Sequence, residues 1–214
     1  MIASHGRRDL PAVALTFDDG PGTVTPAILS ILERRGARAT FDILGCRARS
    51  GAPLVRRAVA EGHEIGLHGW RHRDLTAHPV RAWAELARAA ATVEAVAGVA
   101  PRVFRPPYGA TSRPLELAAR ALGLATLTWD VDPRDFEEPG AAAIAERVRA
   151  SVRPGSIILL HDDRPGLDAT AAALDAILDD LDARGLTTVT AGRLLGLSPR
   201  RRVRDEHATR DLAR

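Results

Sequence analysis

Seven short, apolar, β-prone runs recur along the chain: Val13 to Phe17, Ala39 to Leu44, Glu64 to Leu67, Val103 to Arg105, Ala125 to Asp130, Ser156 to Leu160 and Thr187 to Thr190. Between them lie stretches with helical spacing, such as Ile28, Ile31 and Leu32 before Gly36, or Leu174, Ile177, Leu178 and Leu181 before Gly185. Pro26, Pro53, Pro79, Pro114 and Pro139 fall near the expected helix starts, and Gly36, Gly62, Gly98, Gly123 and Gly185 at the ends. Strand and helix in repetition imply parallel strands covered by helices. With no break in composition, the units point to one α/β domain, a single distorted, seven-unit (β/α) barrel with parallel strands. An eight-unit barrel typically needs about 250 residues, so 214 residues suit a smaller, irregular one. The barrel is expected over residues 1–197. After Gly196 hydrophobic periodicity is lost, and residues 198–214 read as a basic, disordered tail.

Composition narrows the function classes. A hydrophobic fraction of 45% against 27% charged suits a soluble, globular protein. All 30 basic residues are Arg, so a Schiff-base lysine is excluded. The tail carries six Arg against Asp205, Glu206 and Asp211, which leaves 24 residues of each sign in the body. A pI near 10.2 therefore does not imply a nucleic-acid partner. Cys46 is the only cysteine, so neither an intrachain disulfide nor a cysteine zinc site can form, and it is expected as a small core filler after a strand. No stretch reaches the roughly 18 apolar residues of a membrane span. Met1 to Arg8 offers no apolar signal region, so the chain as given reads cytoplasmic, or secreted or cell-envelope if an upstream signal has been removed. Oligomeric state leaves no mark on the sequence.

Parallel α/β folds bind ligands outside the carboxyl ends of their strands. There this chain is heavily loaded: Asp18 and Asp19 follow the first run, His68 and His72 the third, Arg105 ends the fourth, Asp130, Asp132 and Asp135 follow the fifth, and His161 and Asp162 the sixth. Two histidines four apart can reach one cation from a single helical turn. With a carboxylate from the first strand they make three ligands and an open position, the layout of a catalytic metal centre. His63 precedes its strand and belongs to the opposite rim. His78, before Pro79, reads as a helix start.

In order, the chain contains Thr16-Phe-Asp-Asp-Gly-Pro21, His68-Gly-Trp-Arg-His72, Arg105-Pro-Pro-Tyr-Gly109, Asp132-Pro-Arg-Asp-Phe136 and Leu159-Leu-His161. This ordered set resembles the polysaccharide deacetylases of the nodulation-protein homology fold, carbohydrate esterase family four. The resemblance implies a metal-dependent hydrolase that removes N-acetyl groups from acetylated amino sugars of a glycan such as a chitooligosaccharide or peptidoglycan. It implies one divalent metal, zinc first, with cobalt, nickel or manganese as alternatives, held by Asp19, His68 and His72. Asp18 would be the general base, paired with Arg105, and His161 the general acid, oriented by Asp135. The backbone N–H of Tyr108, beside Pro107, would stabilise the oxyanion, and Trp129 and Leu159 would wall the acetyl and sugar groups. Gly69, Asp42 and Phe136 depart from the family pattern, which usually has Ser or Thr, an aromatic residue and Trp there. Other readings are an N-deacylase or deformylase of a small biosynthetic intermediate, a non-catalytic glycan-binding relative, and a metal-dependent phosphoesterase. The last would need carboxylate-rich metal pairs, and this chain has ligands for one metal and no Gly-rich phosphate loop.

Overall fold

The computed structural model describes residues 2–198 apart from 138, 164, 165 and 167, so nearly all of the expected tail lies outside the described residues. Eight strands, β1 (Ile2–Ala3), β2 (Ala12–Asp18), β3 (Ala39–Ile43), β4 (Glu64–Leu67), β5 (Val103–Phe104), β6 (Ala125–Leu127), β7 (Ile157–His161) and β8 (Thr187–Thr188), form one parallel sheet in the order β1-β6-β5-β4-β3-β2-β7, with β8 also on β2. The intervening helices are α1 (Thr25–Arg34), α2 (Gly45–Ala48), α3 (Ala52–Ala60), α4 (Pro79–Ala97), α5 (Arg113–Ala121), α6 (Ala141–Ser151), α7 (Asp168–Ala183) and α8 (Ala191–Leu194).

All seven expected strands are present, and β1 is an addition. Two residues pairing with Thr126 and Leu127 leave no periodic trace in the sequence. Pro26, Pro53, Pro79 and Pro114 each occupy the first turn of a helix, where the missing N–H is not needed. Gly98 closes α4 at φ 69°, a left-handed turn that favours glycine.

The sheet curls almost into a closed barrel. Beyond β6 the chain bridges to β7 through Val131 and Ile158, with Leu159 N–H donating to Val131 O at 2.9 Å. Asp130 secures this seam: its carboxylate accepts from Arg8 Nη2 at 2.8 Å, Ser156 Oγ at 3.1 Å and Ile157 N–H at 2.8 Å. Asp130, expected among the reactive residues of the rim, is therefore a structural clamp.

Alternate residues of each strand meet different surroundings. Val13, Leu15 and Phe17 of β2, Phe41 and Ile43 of β3, and Ile158 and Leu160 of β7 join the main apolar core beneath the helices. Their alternates Thr16, Asp18, Thr40 and Asp42 are buried on the inner side, with Glu64 of β4 below. The upper part of the barrel interior is polar and holds the fully buried Arg105, and Ala14, Leu127, Ile157 and Leu194 form a separate, smaller apolar cluster. Cys46, expected in the core, is exposed, because the short α2 turns Gly45 and Ala48 inward instead.

Asp130→Ala removes one acceptor from three donors at the seam. The expected loss is about 2–3 kcal/mol, read as a lower denaturant midpoint with unchanged slope.

Candidate active site

Strand register brings the reactive residues together. Asp18 ends β2 and pairs with His161, which ends β7. Asp19 follows in the left-handed conformation at φ 71°. His68 leaves β4 with its N–H on Ile43 O, and His72 comes round on a non-helical loop through Gly69 at φ 86°. The pair of imidazoles thus does not share a helical turn. Gly69 reverses the chain there, and the ring centroids sit 5.0 Å apart.

Asp19 Oδ1 lies 3.6 Å from His68 Nε2 and 3.8 Å from His72 Nε2, and one ligand atom from each of the three falls within 4.8 Å of the others. Edges of a tetrahedron with bonds near 2.1 Å measure about 3.4 Å, so these atoms suit one small divalent cation. Asp19 Oδ1 is buried and accepts no hydrogen bond, an orphaned anionic atom that a cation would satisfy. His68 Nδ1 donates to Arg105 O at 2.8 Å, which leaves the Nε2 lone pair facing Asp19. Burial, opposed by the Asp19 charge, holds His72 below its ordinary pKa and so favours the neutral imidazole that ligation requires.

Two ion pairs flank this trio. Arg105 Nη1 donates to Asp18 Oδ1 and to Thr16 Oγ1, each at 2.7 Å, and Nη2 donates to Thr128 O at 3.1 Å. Asp18 Oδ2 remains toward the trio, 3.8 Å from His68 Nε2. On the other side His161 Nδ1 donates to Asp135 Oδ1 at 2.7 Å. Asp135 is in turn fixed by His161 N–H and by Thr170 Oγ1, each at 2.8 Å from Oδ2. Burial pulls the His161 pKa down, but the hydrogen bond to Asp135 and the charges of Asp135, Asp18 and Asp19 outweigh it and push the value up to about 9.

A cavity of about 430 Å³ opens over these groups, lined by Asp18, Asp19, His68, His72, Leu159 and His161, with Trp129, Tyr108 and Phe136 as aromatic walls. Tyr108 is 69% exposed, sits in a left-handed turn at φ 60°, and meets His72 edge-on at 4.2 Å between centroids. Arg105 and Asp135 stand behind the lining and act on it through Asp18 and His161. Pro107 is buried beneath the rim, and Pro106 and Gly109 reach the cavity in its place. Asp132 lines the cavity with Oδ1 accepting from Arg134 N–H at 2.8 Å. Thr170 escaped the sequence reading because it lies in α7, after the last motif. Asp162 is fully buried below the site, accepting from Thr25 Oγ1.

A larger cavity of about 600 Å³ opens at the opposite end, between Arg38, His63, Glu64 and Arg102. His63 Nδ1 accepts from Ala39 N–H at 3.2 Å, and burial with the charges of Arg38 and Arg57 lowers its pKa to about 4. His78 precedes the first residue of α4, as expected of a helix start. Among the described residues only Asp19, His68 and His72 form a metal-ligating group.

Residues 5–127 match the polysaccharide deacetylase family model. The chain is 42% identical over 190 residues to a chitooligosaccharide deacetylase of Sinorhizobium fredii, covering 82% of this chain and 87% of that protein. Its fold superposes on the Bc1960 peptidoglycan N-acetylglucosamine deacetylase with a TM-score of 0.89 at 32% identity, over 94% of this chain and 95% of the other. It also superposes on a family 4 acetyl xylan esterase of Clostridium thermocellum in complex with a cobalt ion, with a TM-score of 0.82 at 36% identity, over 87% and 93% of the two chains.

The sign of the His161 shift fixes a pH window. A pKa raised from 6.5 to about 9 adds stability that is complete below pH 6.5 and fades as pH rises through about 9. Asp135→Asn removes the partner that raises it. The stability deficit of this variant is expected to be largest below about pH 6.5 and to shrink as pH rises through about 9, measured by denaturant unfolding across pH. NMR titration should place the variant's imidazole below that of the wild type.

Proposed function

The chain belongs to the polysaccharide deacetylase family, and from that premise we propose that it removes the acetyl group from N-acetylglucosamine units of a chitooligosaccharide, a peptidoglycan fragment or a related glycan. One observation carries the reading: a carboxylate paired with Arg105 and an imidazole paired with Asp135 face one cavity from neighbouring strands, on either side of the Asp19, His68 and His72 trio. The cavity's volume lies within the usual range for small-ligand sites, and its aromatic walls suit the faces of a sugar ring.

The residues divide the reaction between them. Asp18, with Oδ1 tied to Arg105, accepts a proton from a water molecule through Oδ2 as the water oxygen adds to the acetamide carbonyl carbon. The backbone N–H of Tyr108 donates to the oxyanion that develops. His161, protonated at neutral pH and held through Nδ1 by Asp135, gives its Nε2 proton to the departing nitrogen. The C–N bond breaks to give acetate and a free amine, with no covalent enzyme intermediate. Asp19, His68 and His72 would hold a divalent cation, whose Lewis acidity would polarise the carbonyl and acidify the water. One carboxylate with two imidazoles suits zinc, and the cobalt complex of the xylan esterase supports a site tolerant of that ion. Trp129 and Leu159 confine the acetyl group and the sugar.

Acetate release from chitooligosaccharides and peptidoglycan fragments, with small acetamides and acetylated xylan in parallel, tests the substrate and the bond cleaved. Chelation should abolish release, and zinc or cobalt should restore it. Asp18→Asn should keep its metal and lose about 10²- to 10⁴-fold in kcat, the range for a lost general base. His68→Ala should lose both metal and turnover. Wild-type turnover in Asp18→Asn would refute the assignment of the base.

A further inference from the structure

Asp42 is fully buried below the site, and neither of its carboxyl oxygens accepts a hydrogen bond. It stands in register between Asp18 on β2 and Gly66 on β4. Its carboxyl fills the lane that Gly66 leaves open: a Cβ at residue 66 would come 1.9 Å from Asp42 Oδ1 and 2.7 Å from Val103 Cγ2. A polar group buried without a hydrogen bond is unfavourable, so packing alone would place an apolar side chain here. What Asp42 does meet is the cation of the site. Its Oδ2 lies 3.5 Å from Arg105 Nη1, whose two hydrogens already go to Asp18 and Thr16.

We propose that Asp42 is a positioning residue for the Asp18–Arg105 pair, a second carboxyl beside the guanidinium that fixes the depth at which Nη1 meets Asp18. The inference rests on the reading of Asp18 as the base. Burial holds the Asp42 carboxyl well above the usual carboxylate range; the Arg105 charge opposes this, and the charges of Asp18 on β2 and Glu64 on β4 reinforce it. Burial thus favours the protonated carboxyl, which packs against the guanidinium and leaves both Nη1 hydrogens to Asp18 and Thr16. An ionised carboxylate at the same place would compete with Asp18 for the cation. A neutral side chain of the same shape should therefore serve, whereas removing the carboxyl frees the guanidinium to sink into the lane over Gly66.

The test compares Asp42→Ala, Asp42→Asn and Asp42→Leu in the metal-loaded protein. Misplacement of a reacting group by about 1 Å costs up to 10²-fold, so Asp42→Ala should lose about 10- to 100-fold in kcat, with KM and metal content close to wild type. Its crystal structure should show Arg105 Nη1 beyond hydrogen-bond reach of Asp18. Asp42→Asn should keep most of kcat, and Asp42→Leu, similar in volume but apolar, should not. If Asp42→Ala does not fold, the contrast between Asn and Leu decides. Wild-type kcat in Asp42→Ala, an unmoved Arg105, or equal losses in Asn and Leu that follow thermal stability would overturn the proposal. If the wild type releases no acetate from any substrate, the reading of the site fails instead, and the Arg105 to Asp18 distance in the variants still tests the role of Asp42.

Discussion

The site is organised around a guanidinium removed from water. Burying an unpaired cation costs several kcal/mol, and Arg105, with no exposed surface, meets that cost through bonds to Asp18, Thr16 and Thr128. Each bond also fixes something else. The side chain holds one oxygen of Asp18 and leaves the other toward the trio. The carbonyl of the same residue takes the Nδ1 proton of His68 and so decides which nitrogen of that ring faces Asp19. One residue thus sets a carboxylate on one strand and an imidazole on another. Pro106 follows at once, and the missing N–H ends β5 where the Arg105 side chain must turn inward.

The rest of the barrel can be read as the support that a buried cation requires. Apolar residues of β2, β3 and β7 face the helices, whereas Thr16, Thr40, Asp42 and Glu64 lie on the inner side. Eight-unit barrels fill their interiors mostly with branched aliphatic residues. Here the interior around the buried cation is polar, and a small apolar cluster of Ala14, Leu127, Ile157 and Leu194 lies apart from it. Thr16 shows the economy of the arrangement: its hydroxyl accepts from Arg105 and donates to Ile158 O, joining the cation to β7. Asp130 makes the connection on the other side of β7, closing the seam to the chain beyond β6, while the β2–β7 register holds His161 opposite Asp18.

What the sequence disclosed follows from which interactions are local. Parallel strands buried on both faces read as continuous apolar runs, and their ends fall at Pro and Gly, so seven strands and most helix starts were legible. The candidate site residues stood out because most of them lie at, or a few residues beyond, the end of a strand. Features decided by pairing between distant segments were hidden. β1 is two residues long and exists only through its register with Thr126 and Leu127. Asp130 shares its place after a strand with reactive residues, and only the seam reveals its partners. Cys46 follows a strand, but the turn of α2 places it outside. The histidine spacing suggested a helix because i and i+4 face together on one, and the left-handed Gly69 reaches the same convergence by a loop.

Charge balance explains why these groups can share so small a volume. Asp18 is ion-paired with Arg105 and Asp135 with His161, so the groups on either side of the trio are each compensated. In the proposed reaction a divalent cation held by Asp19, His68 and His72 would more than offset the one carboxylate of that trio. Such a net charge would favour the negative charge that develops on a carbonyl oxygen. A further ionised carboxylate beside Arg105 would cancel it. Burial of Asp42 favours its protonated form and so works against such a charge. Gly66 keeps the lane beside Asp42 open, since a Cβ there would come 1.9 Å from Asp42 Oδ1.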